Sequence, residues 1–558
     1  MEQIVSWPSM IKRLRSAGNA DTQFAILMLC SSSSLDTVPG IKLYHDALLA
    51  VCAYPYHPNA HKLATLELQR MAALLKDQQL NQRWQDSLIG TGLPFTETRC
   101  QFSADLLDWL LQEFPDRINV FEAAATGEVF QQFCQAVLPG IEFFHATQGN
   151  LNTWNRIKLL SGHYHNAAAL QWLLKLFQQK QWEPVLKDQL YDALKIFISW
   201  KLTGDIFNRS FLRCPVTTIH YRKTSAKKTS SLSVIGKPVG NPLPVSETEK
   251  SNLIAIARAS LALYYRETDP VSFADPGETS LFDMGNGLRI LLTGMKKERR
   301  LSLETYIGYM AFQNGVPVAY GGGWMFGYRC KMGINIYPPF RGIESDKLFC
   351  QVLRLYYQYF QLGCFVVKPY QFGKGNPDGL KSGAFWFYYK LGFRPADPAI
   401  KKMADTEWGK IVANRSYRTP LLMLKKFTAC NISWEPIKNK ADYFDAERVS
   451  MAITAMIRNR FDGNREEATR YCMKTLKSFI GLKSFPRIND IEKNTWQNWS
   501  LLFGCLPGTG AWTPAERKRF LALIELKYAG KEKDFITALQ QHQPFWLSVK
   551  ALLNSSLA

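Results

Sequence analysis

No Cys-x-x-Cys pair occurs among the eleven cysteines of this 558-residue chain, and an odd number cannot all pair within one molecule. That pattern excludes a complete disulfide framework and a cysteine-rich zinc site, and it fits buried thiols in a reducing compartment. No segment approaches the run of about 18 apolar residues that a membrane-spanning helix needs. The opening residues, MEQIVSWPSMIKRLR, lack the apolar centre and small-residue cleavage site of a secretory leader, so the expected location is the cytoplasm. No Gly-x-Ser-x-Gly elbow, no Gly-Lys-Ser/Thr phosphate-loop ending and no repeat of fixed period is present. His57 with His61, and His163 with His165, are closely spaced. Neither pair has a Cys or an acid at a ligand spacing, so no metal is expected.

What is present is an ordinary globular composition, 46% hydrophobic and 21% charged, on a chain long enough for about two to four domains. The formal net charge of +21 draws anions, and nucleic acid, anionic lipid and a phosphate-bearing cofactor all satisfy it. Charge alone does not choose among them.

Residues 1–203 read as mainly helical. Ser103 is placed to cap ADLLDWLLQEF, and LKDQLYDALKIFISW reads as a further helix. Residues 204–250 change character: FLRCPVTTIHYRK reads as a strand or extended arm, followed by a Ser-, Lys- and Pro-rich linker. Residues 251–427 open with a helical segment and turn to β character at Gly287. Tyr306–Phe312 and Val316–Tyr320 flank Asn314-Gly315, a hairpin turn signal, and Pro317 is expected at an edge or outward position. A long strand from about Tyr328 to Ile336, a helix from Glu344 to Leu362 stopped by Gly363, and the short strand CFVVKP follow. A helix capped by Ser382 and ended at Gly392 completes the run. Residues 428–558 return to helix, with Thr513, Pro514 and Glu516 forming a capping box. The expected fold class is therefore α+β and multidomain: a central mixed β-sheet with flanking helices, between N- and C-terminal mainly α-helical regions.

Three features of the centre belong together. INIYPPFRGIES sets Arg341-Gly342 just before a helix, where exposed amides and a guanidinium suit a pyrophosphate. AFWFYYKLGF puts Tyr388 on a short helix one strand later. Twelve Lys and Arg against four Asp and Glu between Gly321 and Lys402 make the region cationic.

YMAFQNGVPVAYGGG, INIYPPFRG and AFWFYYKLGFRP, in this order, resemble the second and third strands, the fourth strand with its pyrophosphate loop, and the late helix-strand motif of the GNAT superfamily of acyl-CoA N-acyltransferases. The resemblance covers about a fifth of the chain. It implies acyl transfer from acetyl-CoA or another acyl-CoA to an amine on a small molecule or protein. Asn335 and Ile336 would lie beside the pantetheine, and Arg341, Gly342, Ile343, Glu344 and Ser345 would hold the cofactor. Tyr388 would protonate the leaving thiolate. No His lies between His220 and His542, so the base would be Glu304, Glu344 or an ordered water chain. The loop departs from the family pattern: Glu344 and Asp346 stand at small-residue positions, with Lys347, Lys374 and Lys381 at hand to compensate. The alternative expectation is a catalytically degenerate scaffold or binding module of the same fold, with nucleic acid among its admissible partners.

Overall fold

The computed structural model describes residues 7–147, 151–178, 182–223, 231–414, 416–436, 443–482 and 489–555, with backbone alone at 78–81, 231 and 232. The lysine-rich part of the expected linker, 224–230, lies outside the described residues.

The N-terminal region is helical but carries a small sheet, β1 (Glu97–Cys100), β2 (Ile118–Ala123) and β3 (Ile196–Lys201), in the order β1-β3-β2. The helix expected through LKDQLYDALKIFISW ends at Ala193. Lys195 adopts φ +48°, which breaks the right-handed path. Ile196, Ile198 and Trp200 then bury on alternate positions, as a strand requires.

The central sheet has eight strands: β4 (Ala274–Gly285), β5 (Leu288–Met295), β6 (Thr305–Gln313), β7 (Val316–Phe326), β8 (Arg329–Ile336), β9 (Cys364–Val367), β10 (Arg394–Pro395) and β11 (Ile432–Trp434). Their spatial order is β10-β11-β9-β8-β7-β6-β5-β4; all neighbours are antiparallel except β8 and β9. Asn314 and Gly315, both at positive φ (+48° and +79°), make the expected β6–β7 turn. Pro317 is not at an edge: β7 is central, and the proline is tolerated at a register shift opposite Ala311 and Phe312. Two strands of this sheet escaped the sequence reading, as did β1, β2 and β3 of the N-terminal region. β4 precedes the first expected strand, and β11 lies beyond residue 427, where the helical C-terminal region was expected to begin.

Helix α1 (Val38–Ala53) packs in the N-terminal region against the end of β7, and α2 (Glu247–Ala262) runs beside β4. Helix α3 (Ser345–Phe360) crosses from β8 to β9, and the short α4 (Ala384–Lys390) follows β9. The Gly321-Gly322-Gly323 run lets α3 approach: a Cβ on Gly323 would stand 2.7 Å from Tyr356 Cε1, and the Tyr356 hydroxyl donates to Ile307 O at 2.7 Å. Gln361, in the left-handed region at φ +53°, closes α3 in place of Gly363. Gly383, also left-handed, occupies the position before α4. Ser382 does not cap it and instead donates to Gly379 O.

The C-terminal helices dock through buried charge. Lys527 and Glu532, each at most 3% exposed, pair at 3.2 Å beside Arg300–Glu278 at 2.9 Å. The Thr305 hydroxyl donates to Glu532. The molecule is thus α+β, a mixed eight-strand sheet with helices flanking it. Among the described residues no helix is long and apolar enough to cross a membrane.

Candidate functional site

Strands β8 and β9 pair only over Arg329–Cys364, Cys330–Phe365 and Lys331–Val366. β8 then runs on to Ile336, paired along its other edge to β7, so among the described strands none pairs with Met332–Ile336 on the β9 side, a gap in the ladder. Tyr337 N–H donates to Val318 O on β7 at 3.0 Å. Amides alternate along an antiparallel strand, so those of 333 and 335 also turn to β7, and those of 332, 334 and 336 face the gap. The Tyr388 hydroxyl closes on one of them, the N–H of Ile334.

Tyr388 is 2% exposed and packed edge-on to Phe349 and Phe393 at 5.6 and 5.8 Å. Burial pushes its hydroxyl well above the ordinary tyrosine range, while the Ile334 amide opposes that shift. Tyr388 therefore keeps its proton at neutral pH and can donate it as a hydrogen bond into the gap.

Side chains alternate between faces of the sheet. Gly323, which contacts α3, is in register with Met332, so Met332, Ile334 and Ile336 share the helix-covered face. Gly333 and Asn335 belong to the opposite face. There Gln371 lies over Gly333, where a Cβ would meet its Cδ at 2.5 Å.

On the helix-covered side a groove of about 1110 Å³ runs between the start of α3 and α4. Gly342, Ser345, Asp346, Lys381, Lys390, Trp386, Trp408 and Arg418 are among its lining residues. Glu344, the residue before α3, is left-handed at φ +49° and makes no side-chain cap, so the first-turn amides of a 16-residue helix point outward uncapped. Gly342 at φ +82° has open space where a Cβ would be.

The loop is held from outside the sheet. Arg15 donates to Pro338 O and Pro339 O at 3.1 and 3.0 Å. Arg222 pairs with Glu344 at 3.1 Å and lies over the Tyr56 ring at 4.6 Å. Lys347 also pairs with Glu344, at 2.9 Å. Two cations thus answer the Glu344 charge, and its side chain is not among those lining the groove; Asp346 is.

No family model, curated protein or solved structure matches this chain. The site is therefore read from its own chemistry. Of the expected residues, Gly342 and Ser345 line the groove, whereas Ile336 and Tyr388 belong to the unpaired edge of β8 and not to the groove's lining. Ile343 packs against the core, its N–H bonded to Phe340 O at 3.1 Å. Asn335 turns its amide to β7 and its side chain outward on the opposite face. Arg341 donates from Nε to Ile336 O at 3.1 Å and does not line the groove. Glu304 pairs with Lys331 at 2.7 Å. Glu304 precedes the Thr305–Met325–Cys330 row of the sheet; that row meets β8 four residues, roughly 13 Å, from Ile334, and the Glu304 backbone stands two strands to the side of β8 and one residue further out.

Lys390, Arg418 and Gln371 were not foreseen. Lys390 lies inside the YYKLGF motif and was readable as an exposed helix position. The placement of Gln371 and Arg418 depends on how the loops return. Among the described residues no cluster of His, Cys, Asp or Glu could hold a metal ion. His45 Nε2 lies 3.0 Å from Ser210 Oγ, and His45 Nδ1 lies 3.5 Å from Asp46. That hydrolase-like arrangement is sealed: His45 and Ser210 are at most 1% exposed, and the nearby void holds about 10 Å³.

Proposed function

We propose that the chain is an acyl-CoA-dependent N-acyltransferase. Two observations support this reading together: the β8 edge beyond its pairing with β9, with the buried Tyr388 hydroxyl beside it, and a groove lined by Lys381, Lys390 and Arg418 at the uncapped N-terminus of α3. A thioester of a nucleotide-bearing carrier needs those three parts together. The α3 amides, Lys381, Lys390 and Arg418 suit its phosphates. The free edge of β8, with the Ile336 amide facing inward, suits the pantetheine amides, and Tyr388 suits the sulfur end. When bound, the carrier supplies an activated acyl carbon.

The chain orients that carbon, excludes water with the aromatic packing around Tyr388, and stabilises the departing thiolate. Tyr388 does this by hydrogen bonding, because complete proton transfer from so weak an acid to a thiolate is uphill. Glu304 and Glu344 are both committed to ion pairs, so the proton of the attacking amine passes to water in this reading.

Acetyl-CoA titration and thiol release with a panel of amines test it. Saturable binding is expected, and Tyr388→Phe should lower turnover by about 10²-fold. Wild-type turnover in that variant would remove Tyr388 from the role. A second reading, a non-catalytic module of the same architecture, is favoured by the Asp346 carboxylate in the groove. No saturable binding at about millimolar acetyl-CoA would select it.

A further inference from the structure

Arg266 and Arg341 both neighbour Tyr320, on the face of the sheet opposite α3 and α4. Tyr320 on β7 is in register with Asn335 on β8, and so belongs to the face of Gly333 and Asn335. Its ring lies 5.2 Å from that of Tyr337, which stacks at 4.1 Å on Tyr264, two residues before Arg266; burial raises the Tyr320 hydroxyl, and the neighbouring Arg266 and Arg341 charges oppose that shift while Tyr370 adds to it. Tyr320 is 9% exposed, whereas Arg266, Arg341, Asn335 and Tyr370 are exposed around it.

Other arginines nearby are neutralised: Arg209 by Asp46 at 2.7 Å and Arg222 by Glu344 at 3.1 Å. Among the described residues Arg266 and Arg341 have no ion-pair partner. Arg341 spends its Nε on Ile336 O, which folds the side chain back over the end of β8 and away from the groove.

Arg266 stands on a rigid base. Its N–H donates to Leu261 O at 3.0 Å, and Tyr265 before it is left-handed at φ +55°. Tyr264 is clamped between the Arg209 guanidinium at 4.3 Å and the stacked Tyr337 ring at 4.1 Å. Two unpaired cations on fixed backbone, beside a nearly buried phenol, make a preorganised site for an anion.

We propose that the acceptor is an amine that also bears an anionic group, a carboxylate or a phosphate, and that Arg266 and Arg341 hold that group beside Tyr320. This rests on the acyltransferase reading, in which the carrier enters from the groove side and the amine meets the acyl carbon from the opposite face. The anionic group then fixes the distance of the amine from the gap. A cationic polyamine or a plain lysine side chain is disfavoured by the same two charges.

The test uses the full-length protein and calorimetry. CoA is titrated first and reports on the acyltransferase reading by itself. With CoA saturating the groove, inorganic phosphate and acetate are titrated separately, distinguishing a phosphate from a carboxylate preference. A saturable site for at least one of them is expected, weakened about tenfold or more in Arg266→Gln and in Arg341→Gln. Melting curves establish that the variants are folded, and Arg266→Lys should retain part of the affinity.

CoA binding with no saturable anion site, or a site indifferent to both variants, overturns this inference alone. Loss of CoA affinity in Arg341→Gln would return that side chain to the carrier and overturn it as well. Absence of CoA binding sinks the acyltransferase reading and this inference with it.

Discussion

Arg222→Ala should damage both stability and anion binding, and Glu344→Gly should repair much of the damage. Arg222 is 17% and Glu344 25% exposed at the side chain, so their pair lies between the surface and the buried regimes. Removing the cation from such a pair costs about 1–2 kcal/mol, between the values for exposed and buried pairs. Loss of the guanidinium over Tyr56 adds roughly 0.5–1 kcal/mol. The loop also becomes more negative, with Lys347 left to answer Glu344 alone beside Asp346. A carboxylate about 7 Å from a phosphate, at an effective dielectric near 40, repels each phosphate charge by roughly 1 kcal/mol. If the groove holds acetyl-CoA as proposed, its affinity should therefore fall about tenfold. In the double variant the orphaned charge is gone, and glycine relieves a left-handed glutamate worth about 1 kcal/mol. Thermal melts and acetyl-CoA titration of wild type, both single variants and the double variant close the cycle. Arg222→Ala with unchanged melting and affinity, or a double variant no better than Arg222→Ala, would refute the compensation argument.

Three further outcomes follow from the packing. Gly321→Ala would bring a Cβ within 2.6 Å of Gly333 O and of the Tyr309 hydroxyl, so a loss of about 1–3 kcal/mol is expected in chemical denaturation; wild-type stability would mean that β7 and β8 can part there. Glu532→Ala leaves Lys527 buried without its carboxylate and should cost about 3–5 kcal/mol, whereas replacing both residues by apolar ones should cost much less; equal losses would show that the pair itself stabilises. Burial holds the His45 imidazole at about 4 against an ordinary 6.5, with Arg209 and Arg213 adding to the depression and Asp46 opposing it. The native state then binds fewer protons than the unfolded chain between those values. The stability is complete above pH about 6.5 and declines by up to about 3 kcal/mol as the pH falls to about 4. His45→Gln should flatten that part of the profile, and parallel wild-type and variant profiles would exclude His45 as its source.

The elements readable from sequence were those whose signal is local. The Asn314-Gly315 turn, the Ser103 and Thr513 caps and the extent of α3 each depend on a few adjacent residues, and each formed as the local chemistry required. β3 was misread because a lysine in the left-handed region is invisible as a break, and IFISW satisfies helix and strand patterns equally over five residues. Pro317 was misassigned for a similar reason. The rule concerning ladder hydrogen bonds was sound, but a register shift, not an edge, removed the need for the missing donor. At the site, Gly342 and Tyr388 carry recognisable local motifs, whereas Gln371 over Gly333 and Arg266 beside Tyr320 are meetings of distant segments with no sequence signature.

The loop before α3 shows the same limit in its sharpest form. Read as six consecutive residues, Arg341 to Asp346 contains two acids where a phosphate cradle needs none, and repulsion is the natural inference. In the folded chain Arg222, 122 residues upstream, crosses to Glu344 and cancels one of them. The expected local cation Lys347 joins it, and Arg341, the apparent phosphate ligand, folds away from the groove. The charge that the groove presents is therefore set by Lys381, Lys390, Arg418 and Asp346 rather than by the loop's own formal sum. It follows that the extended arm carrying Arg222 is part of the site's electrostatics as well as a connection between regions. A chain lacking that arm would leave Glu344 to Lys347 alone and change the charge beside the groove, whatever became of the strands of the sheet.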